Sequence, residues 1–129
     1  MIKILLVEDD LDDVELLEDA LRDHNVAYEA AILHDGSAAV EYIRACTSCP
    51  DLVILDFNLP KVHGRQLILE LKATASFKQI PLLILTTSSA KEDIDYAYQN
   101  GADKYLIKPT SMAQVKELVD EIVRLAAKQ

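Results

Sequence analysis

Acidic residues stand directly after two short apolar runs in this sequence. Glu8 and Asp9 follow the run Ile2–Val7, and Asp56 follows Leu52–Leu55. If both runs are parallel strands of one sheet, their carboxyl ends lie side by side and the three carboxylates meet there. Such a cluster is unfavourable unless a proton or a cation relieves it. Because Mg²⁺ prefers hard oxygen ligands, Glu8, Asp9 and Asp56 form a candidate magnesium site.

A hydroxyl and an ammonium group follow two further apolar runs. Thr86 comes after Pro81–Leu85, and Lys108 comes after Lys104–Ile107. A carboxylate beside Mg²⁺ can act as a nucleophile and form an acyl phosphate. The transferred phosphoryl group carries charge on three oxygens, which a metal, a hydroxyl and an ammonium group can bind from different sides. The pattern therefore predicts a site at the carboxyl edge of the sheet where Asp56 accepts, holds and loses a phosphoryl group.

Each of these residues also has an ordinary structural interpretation. An Asp after a strand is commonly a turn or N-cap residue, and Lys108, before a proline, could be a surface lysine. Acidic residues are favoured at a helix start by the helix dipole. Asp12 and Asp13 are interpreted as solvated residues of that kind. The convergence of several groups on one strand-end edge is what favours a functional site.

Two hydrophobic periods alternate along the chain and predict the elements that position these residues. Short apolar runs predict five strands: Ile2–Val7, Tyr28–Leu33, Leu52–Leu55, Pro81–Leu85 and Lys104–Ile107. Helical spacing predicts five helices: Leu11–His24, Gly36–Ala45, Arg65–Ala75, Lys91–Gln99 before an Asn100–Gly101 cap, and Ser111–Ala126. The alternation predicts a doubly wound (βα)₅ α/β fold, with helices on both faces of a five-stranded parallel sheet. The first, third and fourth strands are the most apolar and belong at the centre, which favours the flavodoxin-like order 2-1-3-4-5.

Length and charge narrow the class of protein. The 129 residues fit a single domain, residues 1–129, with no room for an output domain. The formal net charge of −9 argues against nucleic acid and anionic membranes as partners, because both need a basic patch. No apolar run approaches the roughly 20 residues of a membrane span. The N-terminus lacks the features of a secretory signal, so a cytoplasmic location is expected.

The two cysteines, Cys46 and Cys49, have the C-x-x-C spacing of redox and zinc sites. A redox pair places its nucleophilic thiol at a helix N-terminus, whereas this pair follows a predicted helix. A structural zinc site needs about four ligands, and the three histidines of the chain are scattered. We therefore expect neither a redox nor a zinc role for the pair.

The ordered set of motifs resembles the receiver domains of two-component response regulators, over essentially the whole chain. The motifs are Leu6–Asp10, Leu55–Pro60 with the following Gly64, Leu85–Thr87, Gly101–Tyr105 and Lys108–Pro109. Their details are most similar to single-domain receivers of the cyanobacterial phytochrome-regulator type. Two residues depart from commoner receivers, His63 where Asp is frequent and Ser88 after the second threonine. The resemblance implies that Ser88 and Asn58 stand at positions that tune how long the phosphoryl group lasts.

The resemblance implies a role for each matching residue, with Asp56 the phosphoacceptor. Glu8 and Asp9 would be the acidic pair, with Asp9 the direct ligand of Mg²⁺. The other implied roles are a metal-binding backbone carbonyl of Asn58, a switch hydroxyl on Thr86, a switch ring in Tyr105 and a phosphate-binding lysine, Lys108. The resemblance also implies a cis Lys108–Pro109 bond, which would fit a tight turn.

The implied function is that of a stand-alone response regulator in a two-component phosphorelay. A sensor histidine kinase or a histidine phosphotransfer protein would pass a phosphoryl group to Asp56 with the help of Mg²⁺. The domain would catalyse only its own phosphorylation and dephosphorylation, and is otherwise not an enzyme. The signal would leave through contact with a downstream protein target or by onward phosphotransfer.

Phosphorylation is expected to draw the Thr86 hydroxyl inward through a charge-assisted hydrogen bond. The space vacated would let the ring of Tyr105 turn from solvent to a buried position, a two-state response to a local charge. The change would alter the face of the fourth helix, fifth strand and fifth helix, where a homodimer or a partner could bind. Mixed charges stand on that face: Lys91, Glu92, Asp93, Lys104, Lys116, Glu117, Asp120 and Arg124.

Three other classes of protein share part of this pattern. A haloacid-dehalogenase-like phosphatase needs a second Asp two residues after the nucleophile, where this chain has Asn58. A flavodoxin-like FMN carrier needs a Ser/Thr/Gly-rich loop after the first strand, where this chain is acidic. A receiver-like interaction module that is never phosphorylated would keep the same residues, and this alternative stays open.

Overall fold

Strands and helices alternate through residues 1–59 and 62–127, the part of the chain that the computed structural model describes. The strands are β1 (Ile2–Val7), β2 (Tyr28–Leu33), β3 (Leu52–Leu55), β4 (Leu82–Thr86) and β5 (Lys104–Ile107). The helices are α1 (Leu11–Asp23), α2 (Gly36–Ala45), α3 (Gly64–Ala73), α4 (Lys91–Gln99) and α5 (Met112–Ala126). The predicted alternation is confirmed, and the elements that differ from the prediction do so by one or two residues at an end.

Capping side chains set several of these ends. Ser111 is the N-cap of α5, because its hydroxyl accepts a hydrogen bond from the Gln114 N–H, so the helix begins one residue later than predicted. His63 caps α3 in the same way, with Nδ1 accepting from the Arg65 N–H at 3.0 Å. Helix α4 ends as predicted, with Asn100 as C-cap and Gly101 at φ 104°, a left-handed conformation that favours glycine.

The five strands form one parallel sheet of order β2-β1-β3-β4-β5, as predicted. Every residue of β3 and β4 is buried, and so are the last four of β1. The edge strand β2 is only half-buried along most of its length. This gradient follows from the parallel arrangement, in which the central strands are covered by helices on both faces.

Alternate strand residues pack into two hydrophobic layers, one on each face of the sheet. On one face, strand residues such as Leu5, Leu55 and Ile84 pack with apolar residues of α2, α3 and α4. On the other, Leu6 and Ile54 pack with residues of α1 and α5. The carboxyl edge of the sheet lies between the helices of the two faces. Polar groups can gather at this edge.

Gly64 lets α3 begin directly against the end of β3. A Cβ atom at this position would lie 2.5 Å from the Phe57 Cα atom and 2.8 Å from the Asp56 carbonyl oxygen. The Gly64 N–H donates to the Phe57 carbonyl at 3.1 Å, which closes the β3–α3 loop. This close approach holds the backbone around Asp56 in place.

The thiols of Cys46 and Cys49 are free and lie after α2, as expected from the sequence. They donate weak hydrogen bonds to the carbonyls of Ser48 and Ser76, respectively. Among the described helices, none combines the length and the apolar character needed to cross a membrane.

Candidate functional site

The ends of β1 and β3 bring three carboxylates together. The Asp56 N–H donates to the Val7 carbonyl at 3.1 Å, which extends the ladder one residue and sets Asp56 beside Glu8. Glu8, Asp9 and Asp56 each offer an oxygen, and these oxygens lie within 4.8 Å of one another. The spacing and the all-carboxylate donor set suit a hard divalent cation such as Mg²⁺.

Burial differs across this cluster. Glu8 and Asp56 are each only 4% exposed, whereas Asp9 is exposed. The exposed Asp9 carboxylate is therefore the one that a hydrated cation arriving from solvent would meet first. The carboxylates of Glu8 and Asp56 are buried, and the low local dielectric strengthens their interaction with any positive charge.

Lys108 supplies positive charge to the same place. Its N–H donates to the Thr86 carbonyl at 2.9 Å, so the strand ladder places the residue at the carboxyl edge. Its Nζ atom lies 2.6 Å from Glu8 Oε1, 2.6 Å from Asp13 Oδ2 and 2.8 Å from Asp56 Oδ2. Burial alone would lower the pKa of Lys108, but the hydrogen bonds to these carboxylates raise the pKa above its ordinary value.

The environment drives the pKa values of the two buried carboxyls apart. Burial raises the pKa of Glu8 to about 7, and the neighbouring charge of Asp56 adds to the rise although Lys108 opposes it. For Asp56, burial is outweighed by hydrogen bonds from Lys108, the Asn58 N–H and the Thr86 hydroxyl, so its pKa is lowered. Asp56 is therefore the carboxylate that stays ionised, as a nucleophile must.

The Asn58 N–H donates to Asp56 Oδ1 at 3.1 Å, which orients the carboxylate. This contact places the Asn58 backbone N–H at the cluster, and the metal-binding role of the Asn58 carbonyl stays a prediction. Pro60, the last residue of that motif, lies outside the described residues.

The interpretation of Asp13 as a solvated helix-start residue was wrong. Asp10 caps α1, with Oδ1 accepting from the N–H groups of Asp12 and Asp13, and this fixes the first turn beside the strand end. The turn directs Asp13 to Lys108, while Asp12 remains exposed. The signal for this contact was the short acidic loop of three residues between β1 and α1, but the rotation of α1 about its axis could not be predicted without the cap geometry.

The prediction of a cis Lys108–Pro109 bond was also wrong. Across the described residues there is no cis peptide bond. Because the Lys108 N–H is fixed on the Thr86 carbonyl, the trans chain already aims the ammonium group at Asp56. The intrinsic preference for trans, about 0.5–1 kcal/mol before proline, then decides the isomer.

Thr86 and Tyr105 are both buried in this structure. Thr86 is 0% exposed, its hydroxyl accepts a hydrogen bond from the Ser88 N–H at 3.4 Å, and the hydroxyl helps to lower the pKa of Asp56. The Tyr105 ring packs edge-on against Phe57, and its hydroxyl donates to the Ser88 carbonyl at 2.8 Å. The Tyr105 ring thus occupies the buried position in this structure, and its movement on phosphorylation stays a prediction.

A polar network that the sequence did not reveal anchors the loop carrying Ser88. The Ser88 hydroxyl donates to Asp93 Oδ2 at 2.5 Å, and the Arg65 guanidinium donates to Asp93 Oδ1 at 2.8 Å. These two bonds lower the pKa of Asp93. Because Arg65 and Asp93 lie on different helices, 28 positions apart, no local pattern links them.

Comparison with known proteins places these features in a family. The model of the response regulator receiver domain matches residues 4–120. The chain is 37% identical over 123 residues to the probable methanogenesis regulatory protein FilR2 of Methanothrix harundinacea, covering 92% of this chain and 79% of that protein. It is 34% identical over 124 residues to response regulator Rcp1 of Synechocystis, covering 92% and 84%.

Solved structures agree with the sequence comparison. The Mn²⁺-bound form of Rcp1 superposes with a TM-score of 0.83 at 33% identity, covering 95% of this chain and 91% of that one. The phosphorylated cyanobacterial phytochrome response regulator RcpA superposes with a TM-score of 0.86 at 35% identity, covering 98% and 94%. The resemblance to receivers of the phytochrome-regulator type is therefore confirmed, and the chain belongs to the response regulator receiver domain family.

Proposed function

We propose that this receiver accepts a phosphoryl group on Asp56 from a sensor histidine kinase or a histidine phosphotransfer protein. One observation carries the proposal. Asp56 is a buried, ionised carboxylate with the Lys108 ammonium group at 2.8 Å and two further carboxylates within reach of a shared cation. Glu8 is equally close to Lys108, but burial raises its pKa to about 7, whereas hydrogen bonds lower the pKa of Asp56.

Glu8, Asp9 and Asp56, with the backbone carbonyl of Asn58, would hold Mg²⁺. The donor set supports this choice, and so does the Mn²⁺ in the related Rcp1 structure. When bound, the ion would neutralise charge on the phosphoryl oxygens and on the attacking carboxylate. Asp9, being exposed, would be the direct ligand nearest to solvent.

The chemistry requires little beyond positioning. An Asp56 oxygen attacks phosphorus, the bond from phosphorus to the donor nitrogen breaks, and its electron pair leaves with that nitrogen. Lys108 binds a phosphoryl oxygen as charge develops, and the Thr86 hydroxyl binds another. Later attack by water on phosphorus breaks the bond to Asp56, releases phosphate and restores the carboxylate. The domain thus acts only on its own side chain, as a phosphoacceptor in signalling.

The experiment that tests this function uses a small phosphodonor. Acetyl phosphate with Mg²⁺ should add one phosphoryl group, seen by intact-mass spectrometry, with no kinase present. Asp56→Asn should remove the adduct, whereas Asp120→Asn, an exposed carboxylate on α5, should keep it. Undiminished labelling of Asp56→Asn would contradict the assignment. A wild-type protein that is never labelled would favour the unphosphorylated interaction module.

The output is proposed to pass through Thr86 and Tyr105 to the face formed by α4, β5 and α5. Support comes from two contacts of Ser88, whose N–H donates to the Thr86 hydroxyl at 3.4 Å and whose carbonyl accepts from the Tyr105 hydroxyl at 2.8 Å. A phosphoryl oxygen would hold Thr86 inward and so stabilise the buried Tyr105 ring. Exposed apolar residues, Tyr98 and Ile107, lie among the charges of this face and suit a protein partner or a second copy.

Sedimentation velocity tests this switch. Beryllofluoride with Mg²⁺, a mimic of the phosphoryl group, should increase self-association of the wild type, and Thr86→Ala should lose most of that increase. Thr87→Ala, an exposed neighbour, is the matched control. If the mimic binds and the mass stays constant, the face is not used for self-association. If Thr86→Ala responds as fully as the wild type, the coupling through Thr86 is wrong.

A further inference from the structure

We propose that Asp13 is a positioning residue that keeps Lys108 in the site while a metal ion occupies the other carboxylates. The inference rests on the proposed metal site at Glu8, Asp9 and Asp56, and concerns a residue outside that set. Asp13 touches neither the cation position nor the phosphoryl group directly. It acts on both through the ammonium group of Lys108.

The hydrogen bonds of Lys108 are fully committed in this structure. An ammonium group has three N–H donors, and the Nζ atom has three carboxylate partners, Glu8 and Asp13 at 2.6 Å and Asp56 at 2.8 Å. The Lys108 side chain is only 13% exposed, so water cannot readily replace a lost partner. If Lys108 loses its hydrogen bond to one carboxylate, the remaining two carboxylates therefore have to hold the ammonium group.

A divalent cation changes two of these three partners. Glu8 and Asp56 belong to the group whose oxygens could share a cation, and Asp13 does not. A bound Mg²⁺ would compete with Lys108 for the same oxygens and would repel its ammonium group. Asp13 is then the counter-ion that remains, so its carboxylate reduces the cost of metal binding and holds Lys108 near the phosphoryl position.

The geometry of α1 distinguishes Asp13 from its acidic neighbours. The Asp10 cap fixes the helix start, and successive residues project about 100° apart around the axis. Asp13 therefore reaches Lys108 with a side chain that is 32% exposed, while Asp12 points to solvent. Both stand in the same first turn and interact similarly with the helix dipole, so Asp12 provides a matched control.

Calorimetric titration with Mg²⁺ tests the inference in the full chain. We expect Asp13→Asn to weaken Mg²⁺ binding about fivefold, and Asp12→Asn to change it less than about twofold. Asp13→Glu, which keeps the charge and can reach Lys108, should restore most of the affinity. In a Lys108→Gln background, Asp13→Asn should have little further effect, because the residue acts through the lysine.

The outcomes separate this inference from the proposed function. A wild-type protein that binds no Mg²⁺ contradicts the metal site and the inference with it. Normal binding by the wild type, with equal effects of Asp13→Asn and Asp12→Asn, overturns the inference alone. A fivefold effect that persists undiminished in the Lys108→Gln background also overturns it, because Asp13 would then act on the metal without the lysine.

Discussion

Replacing Lys108 by glutamine is expected to slow phosphorylation of Asp56 by acetyl phosphate about 10²–10³-fold, even at saturating Mg²⁺. Lys108 is the cation that touches Asp56 within the described site, at 2.8 Å, and it is held there by two further carboxylates. Glutamine is one atom shorter than lysine and keeps N–H donors, but it loses the charge that the transferring oxygens need. The measurement is the initial rate of adduct formation, followed by intact mass.

The matched control for this variant is Lys104→Gln. Lys104 is a half-buried lysine at the opposite end of the same strand, β5, and pairs in the sheet with Leu83 rather than with a site residue. The Lys104→Gln variant should be phosphorylated by acetyl phosphate at nearly the wild-type rate. If Lys108→Gln were as fast as Lys104→Gln, the positive charge at Asp56 would have no part in the reaction.

Mg²⁺ is expected to stabilise the folded protein, and Asp9→Asn should lose most of the effect. The metal would relieve repulsion among Glu8, Asp9 and Asp56, whose oxygens lie within 4.8 Å of one another. A free concentration about 100 times Kd adds about 2.7 kcal/mol to the free energy of unfolding. For a chain of this size that gain corresponds to a rise in Tm of about 10 °C.

Thermal melting across a range of Mg²⁺ concentrations measures this stabilisation. Asp12→Asn removes the same charge from an exposed position close by and should retain the wild-type shift. Ca²⁺ at equal concentration is a useful comparison, since its larger size demands more ligands than three carboxylates supply. Equal shifts in Asp9→Asn and the wild type would contradict the assignment of Asp9 as a ligand.

Most of the fold could be predicted because its main determinants are local. Two alternating hydrophobic periods mark the strands and helices. The higher apolar content of β1, β3 and β4 places these strands at the centre of the sheet and β2 and β5 at its edges. The convergence of Glu8 and Asp56 follows from topology, since parallel strands place their carboxyl ends on one edge. The start of α3 was harder, because His63 is an uncommon N-cap.

The rest of the site depends on distances that no local pattern encodes. Asp13 reaches Lys108 across 95 positions of sequence, and that contact is fixed by the rotation of α1 on its cap. The buried position of Tyr105 likewise depends on the Ser88 carbonyl, which Asp93 holds in place through the Ser88 hydroxyl. Such contacts become visible only when helices and strands are packed together.

Chemical trapping tests most directly whether the phosphoryl group forms an acyl phosphate on Asp56. The protein is treated with acetyl phosphate and Mg²⁺, reduced with borohydride, and digested for peptide sequencing by mass spectrometry. Borohydride converts an aspartyl phosphate to homoserine but leaves a free carboxylate unchanged. We expect homoserine at position 56 in the treated protein and aspartate there when the phosphodonor or Mg²⁺ is omitted. Homoserine at Asp9 or Asp13 instead, or a phosphoryl adduct with Asp56 intact, would contradict the account.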